Sequence, residues 1–328
     1  MRLRIQTNMN RSVVFKAVRF TVSAGLILYL VIRLDPDRIL THLSGIAAFP
    51  LVVASVMIFG MIFINALRWK LILKAKGLDL SLAKSVYYSL ISIFFSSFLP
   101  TSVGGDFVRV LSVSNETGRP ADALASVLVD RLLGFLVLLP IGLISIPFVA
   151  GQLTEWRLVL GVGTITLAFY VGAYVLVLRP VVRRLARLLD PLLRLLARFR
   201  ARERLEKTYV AIVSYRDCHG TIGVGLVLSV ISKIFWIGAC YMVGRALSID
   251  LRFTALLLIV PVVELVRMIP ISISGIGMRE AAFVAMLRQF GIADSMGFTF
   301  SVIVYVLFFG FALIGGALYG TRQFLPRR

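Results

Sequence analysis

The chain has 328 residues, a formal net charge of +20 and 59% hydrophobic side chains, and its mean hydropathy is +0.92. So much apolar surface excludes a soluble globular domain and identifies an all-α polytopic membrane protein, a single integral membrane domain over 1–328. The Lys and Arg residues fall between apolar spans, so they report orientation and contact with anionic lipid, and nucleic acid is not an expected partner.

The first eleven residues are basic and are expected on the cytoplasmic side. Span 1 is predicted over about 13–32, with Lys16 and Arg19 snorkelling to the inner headgroups. It is long and no small-residue cleavage site follows, so it reads as a retained span rather than a signal peptide. Span 2 covers about 45–67, and Asn65, Arg68 and Trp69 read as its interfacial anchor. Lys70, Lys74 and Lys76 place the loop after it inside.

The next apolar stretch, 85–99, is about 22 Å long as a helix, against about 30 Å of hydrocarbon. It breaks at Pro100-Thr101-Ser102 and Gly104-Gly105, and the chain returns through Asp106 to Ser114. This reads as a re-entrant hairpin opening to the cytoplasm, with its broken backbone sheltered by protein or a wet cavity. Span 3 (about 121–148) carries Asp130 and Arg131 well inside the membrane, and span 4 covers about 157–178. An arginine-rich connector over about 179–219 follows, either an amphipathic helix on inner-leaflet anionic lipids or a plain cytoplasmic loop. Span 5 (about 220–241) contains Lys233. A second hairpin descends over 253–269, turns through Pro270 to Gly277 and returns over 278–290. Span 6 covers about 295–319, and both termini are expected in the cytoplasm.

Each half then reads span, span, hairpin, span, over about 13–148 and about 157–319 with the connector included. Three net crossings per half make the second half inverted, an arrangement suited to alternating access at the midplane. Loop charge does not separate hairpins from full crossings, because a hairpin contributes either zero or two. Segment length and the broken tips favour hairpins.

The hairpins and spans carry Asp106, Arg109, Asp130, Arg131, Lys233, Glu264, Arg267, Arg279 and Glu280 to depth. Each costs at least about 2.5–3.5 kcal/mol at the bilayer centre, so they must face a cavity or one another. Asp106 with Arg109, and Glu264 with Arg267, have the i, i+3 spacing for ion pairs. Adjacent Asp130 and Arg131 need partners elsewhere. Gly104, Gly105, Pro270, Gly275 and Gly277 form the tips, where the first amides of the return helices face the midplane and suit an anionic headgroup. Arg109, Arg131, Arg267 and Arg279 are the expected phosphate contacts, while tight turning and helix packing explain the glycines equally well. The cysteines, Cys218 and Cys240, are expected at opposite ends of span 5, about 33 Å apart, too far for a disulfide. His42 and His219 also lie apart, so no metal is expected, and no cofactor motif is present.

Four motifs occur in order: Arg68-Trp69; LPTSVGGDFVR from Leu99 to Arg109; Ser126-x-x-x-Asp130-Arg131-x-x-Gly134; and PISISGIGMRE from Pro270 to Glu280. With them the chain resembles the flippase-like transmembrane region of lysylphosphatidylglycerol synthases, along nearly its whole length. The resemblance implies a multi-spanning bundle with re-entrant helices that moves lipids between leaflets. In bifunctional relatives an aminoacyl-transferase domain follows; this sequence runs from span 6 to Arg328, so synthase activity is not expected. The expectation is a non-enzymatic lipid translocase of the cytoplasmic membrane, moving an anionic, aminoacylated or polyprenyl-linked lipid, and a homo-oligomer is compatible with it. The alternatives are a scaffold subunit of a lipid or cell-envelope enzyme and, less favoured, an enzyme acting on lipid headgroups.

Overall fold

A computed structural model describes residues 45–98, 104–149, 210–268 and 275–323, with isolated positions between 151 and 172. Span 1, most of span 4, Pro270 and most of the basic connector lie outside the described residues. Among those described, every regular element is a helix. They are α1 (Ala48–Lys74), α2 (Leu82–Phe98), α3 (Gly104–Thr117), α4 (Pro120–Val149), α5 (His219–Ala246), α6 (Phe253–Met268), α7 (Met278–Arg288) and α8 (Asp294–Gln323), with a 3-10 turn at Ser214–Asp217 before α5.

Four of these helices are long and apolar enough to cross a membrane: α1, α4, α5 and α8. Their faces are sorted by packing rather than by polarity, because lipid is as apolar as a protein core and close contact is what draws membrane helices together. On α1 every fourth residue is buried, Ala54, Ile58, Ile62 and Ala66, while Phe49, Val52, Val56, Phe59 and Phe63 are exposed. The buried stripe joins a core that includes Trp236, Ile237 and Cys240 of α5. Helix α4 starts on Pro120, whose fixed φ suits a first helical position.

α1 continues to Lys74, past the predicted end at Leu67. Arg68 and Trp69 are therefore not an interfacial anchor. They sit inside the helix and are buried, Trp69 completely. Tyr215 is buried against the last turns of α1. Its hydroxyl donates to the Ile72 carbonyl (3.1 Å), and burial pushes its phenol pKa up.

Between the long helices lie two helical hairpins. In the first, α2 and α3 run antiparallel. Lys84 near the start of α2 pairs with Glu116 near the end of α3 at 3.0 Å, and at the other end the Gly105 amide donates to Ser96 Oγ at 3.1 Å. The limbs are about 25 and 21 Å long at 1.5 Å per residue. They touch so closely that a Cβ at Gly105 would collide with the Ser92 carbonyl and the Ser96 hydroxyl. In the second hairpin, α6 and α7 pack together across a turn. Gly275 (φ +79°) and Gly277 (φ +85°) take left-handed conformations there that other residues resist.

The packing is reciprocal between halves. α1 packs on α5, the hairpin of α2 and α3 packs on α8, and that of α6 and α7 packs on α4. Each hairpin also packs on the long helix that follows it. At the α1–α5 crossing, Gly60 receives the Phe235 ring and Gly238 receives the Met57 side chain. Each glycine follows the bulky residue of its own helix by three positions, so the contact maps onto itself when the helices are exchanged.

Candidate functional site

The first three sequence motifs converge on one buried ionic cluster. Asp130, projecting from α4, has both oxygens occupied. Arg68 Nε of α1 donates to Oδ1 at 2.7 Å and Arg109 Nη1 of α3 to Oδ2 at 3.2 Å. Arg68 Nη1 also donates to Ser229 Oγ of α5, at 2.7 Å. Arg109 stacks over the Trp69 ring, 4.0 Å from its centroid, and Trp69 Nε1 donates to Ser126 Oγ at 3.2 Å. Three long helices and the first hairpin are thus tied through one carboxylate. Two guanidiniums satisfy it, which is what makes a buried charge tolerable.

Adjacent Arg131 points elsewhere, as the 100° step of a helix requires, and pairs with Asp106 of α3. Asp106 also lies 3.8 Å from Arg109 in the anticipated i, i+3 geometry. Glu264 and Arg267 pair within α6 at 3.0 Å. Arg279 is bound by neighbouring Glu280 and stacks over the Tyr305 ring of α8 at 4.1 Å. The second carboxylate oxygen of Glu280 accepts the Gly277 amide at 2.6 Å.

Beside the Asp130 cluster lies a cavity of about 230 Å³. Its walls come from both hairpins and from four long helices. α1 contributes Met61, Ile62, Asn65 and Arg68; α2 contributes Ser89, Ser92 and Ile93; α3 contributes Arg109. Asp130, Lys233, Trp236, Glu264, Arg267 and Phe308 complete the lining. Four cations therefore face two carboxylates. Among the described residues Lys233 makes no hydrogen bond or ion pair, and Arg109 Nε is buried without a partner.

Of the residues singled out from sequence, Arg109, Asp130, Lys233, Glu264 and Arg267 are brought to this cavity. Asp106 and Arg131 stand behind it as a pair, and Gly104 and Gly105 are the first residues of α3. Gly275 packs on the Arg267 methylenes. Arg279 and Glu280 are elsewhere, turned toward α8. The expectation that the return-helix amides lie open to an anion needs correction at two positions: Ser96 takes the Gly105 amide and Glu280 takes that of Gly277. Side chains that already satisfy the first amides of a helix compete with any ligand for them.

Sequence reading missed Arg68, Asn65, Ser89 and Ser92 as lining residues. An Arg-Trp pair ending an apolar run has the same pattern as an interfacial anchor. The available signal was Asp130, a mid-span carboxylate whose neighbour Arg131 points away and which therefore requires a cation from another helix.

The family described as the lysylphosphatidylglycerol synthase TM region matches residues 16–316. The chain belongs to that family, and is a multi-pass membrane protein tied to lipid metabolism or transport. No curated protein and no solved structure matches it.

Proposed function

We propose that this member of the family is a lipid translocase of the cytoplasmic membrane, with both termini cytoplasmic and six spans around two re-entrant hairpins. A headgroup passes through the cavity between the hairpins while the acyl chains stay in lipid. The observation that carries this reading is Lys233, a basic residue on the cavity wall that makes no hydrogen bond or ion pair among the described residues. A purely structural role explains Arg68, Arg109 and Asp130, because they satisfy one another. It does not explain a lysine at this depth outside any hydrogen bond or ion pair among the described residues, a placement that is costly unless something else pairs with it.

Two further features support transport. The reciprocal packing of the halves fits an inverted repeat, in which two similar bundles rock about a shared site. Broken backbone beside a polar cavity is where membrane proteins tolerate it. Coupling would come from the lipid gradient, an ion gradient or the membrane potential.

A scaffold role is favoured by one observation: most intramembrane charges are consumed in pairs. Lys233 separates the two readings. The experiment is leaflet exchange of fluorescent phospholipids in proteoliposomes containing the wild-type chain or Lys233→Gln. Transport predicts acceleration that the variant loses, while its thermal stability holds or rises because an unpaired buried charge has been removed. A folded wild-type protein that accelerates no lipid sinks the translocase.

A further inference from the structure

Building on the translocation reading, we infer that Lys233 is a proton-binding site of the transport cycle: its amine takes up a proton as a lipid phosphate enters the cavity and releases it when the phosphate leaves. Position is the first observation. Helix α5 runs from His219 to Ala246, and Lys233 lies at its midpoint, about 21 Å from its start at 1.5 Å per residue. A lysine near a helix end can carry its charge out to the headgroups, and one at mid-span cannot. Its own helix offers no fixed partner either. Ser229 accepts from Arg68 and donates to the Gly225 carbonyl, and Ser232 donates to Asn65.

The neighbouring charges single out the lysine. Facing it across the cavity are Arg68 of α1, Arg109 of α3, Asp130 of α4, and Glu264 and Arg267 of α6, while α8 presents Phe308. Arg68 and Arg109 hold both oxygens of Asp130, and Arg267 holds Glu264 Oε2 at 3.0 Å. Arginine does not give up its proton, and a carboxylate beside a guanidinium is most stable ionised. Lys233, outside every such pair, is therefore the described lining residue whose charge is freest to change. With Lys233 protonated the lining holds four cations against two carboxylates, and without that proton three against two. A phosphate supplies the partner that the ammonium lacks. An N–H bond then forms at Nζ, with the proton drawn from water on the side to which the cavity is open. The same bond breaks when lipid and proton are released on the other side, and no electrons are transferred. Every phosphodiester supplies this charge, whatever the rest of its headgroup.

The test is proton uptake linked to lipid binding, on the purified full chain in weakly buffered detergent near neutral pH. A pH indicator is read as dihexanoyl phosphatidylglycerol or dihexanoyl phosphatidylethanolamine is added until the rise in Tm saturates. The wild type should take up about one proton per bound lipid, and its affinity should fall about tenfold per pH unit over the range where uptake is seen. Lys233→Arg still offers the phosphate a cation but is already protonated, so it should bind lipid without uptake. No uptake by the wild type with either lipid, or an affinity flat with pH, overturns the inference, and these two readings decide it even where the variant binds no lipid. Uptake that survives Lys233→Arg also overturns it, and Glu264→Gln then shows whether the carboxylate is the carrier. In proteoliposomes a gradient of one pH unit should enrich labelled phosphatidylglycerol about tenfold in the leaflet on the alkaline side, since one unit is worth about 1.4 kcal/mol per proton. Exchange without this skew leaves translocation standing and overturns the coupling. Uptake without exchange keeps the proton site and removes translocation.

Discussion

The two hairpins share a plan and are anchored by different physics. The α2–α3 hairpin is held by ions that reach to other helices: Arg109 to Asp130, Asp106 to Arg131, with Arg68 completing the cluster. In the α6–α7 hairpin the described pairs, Glu264 with Arg267 and Arg279 with Glu280, are closed locally. Its anchoring is apolar, with Leu256, Ile259, Val260, Val263, Phe283 and Leu287 all buried in the main core. A limb held by packing can slide with its charges still neutralised. A limb held by cross-helix ions moves only if a buried carboxylate loses a partner. On this contrast the second hairpin is the freer to shift and the first is the more firmly held.

The contrast can be broken hardest at Asp130. Asp130→Ala leaves two buried guanidiniums facing each other and should cost about 3–5 kcal/mol, as when one member of a buried ionic group is removed. Unfolding in mixed micelles should show it, and the first hairpin should become accessible to thiol labelling at an introduced cysteine. Phe283→Ala should cost about 3 kcal/mol, at the low end for such truncations, because packing is lost while the water-transfer contribution is absent in lipid. The loosened labelling should then appear in the second hairpin. Glu264→Gln removes a local, partly exposed pair and should cost about 1 kcal/mol or less, with the larger effect on leaflet exchange. The smallest change is expected for Lys84→Ala, where half-exposed Lys84 meets Glu116: about 0–1 kcal/mol, reduced further by salt. Equal losses from the Asp130 and Glu264 changes would remove the distinction between the hairpins.

This contrast was invisible in the sequence, although the elements were not. Apolar runs reveal α4, α5 and α8 to within about five residues at either end but stop seven short of the end of α1, because a long uncharged run can take up few conformations in a bilayer. The i, i+3 pair of Glu264 and Arg267 was legible because helix geometry alone brings it together. Partner choice across helices was not. Asp130 lies 62 positions from Arg68, and no local spacing encodes that meeting. Arg279 shows the converse: a tip arginine looks available for a ligand until the neighbouring Glu280 and the Tyr305 ring across the interface claim it.

The order of synthesis gives the Asp130 cluster one more consequence. Arg68, Asp106, Arg109, Asp130 and Arg131 all lie between positions 68 and 131, so they emerge from the ribosome before any of α5 exists. By the time α4 is made, its carboxylate can enter the bilayer already matched to an arginine partner, and the whole unit can partition as a nearly neutral body. Only Ser229 joins from the later half, contributing a hydroxyl rather than a charge. The early half can thus settle in the membrane by itself, as a template on which the late half docks. Lys233 arrives later, with α5, and Glu264, Arg267 and Phe308 follow it to complete the cavity wall.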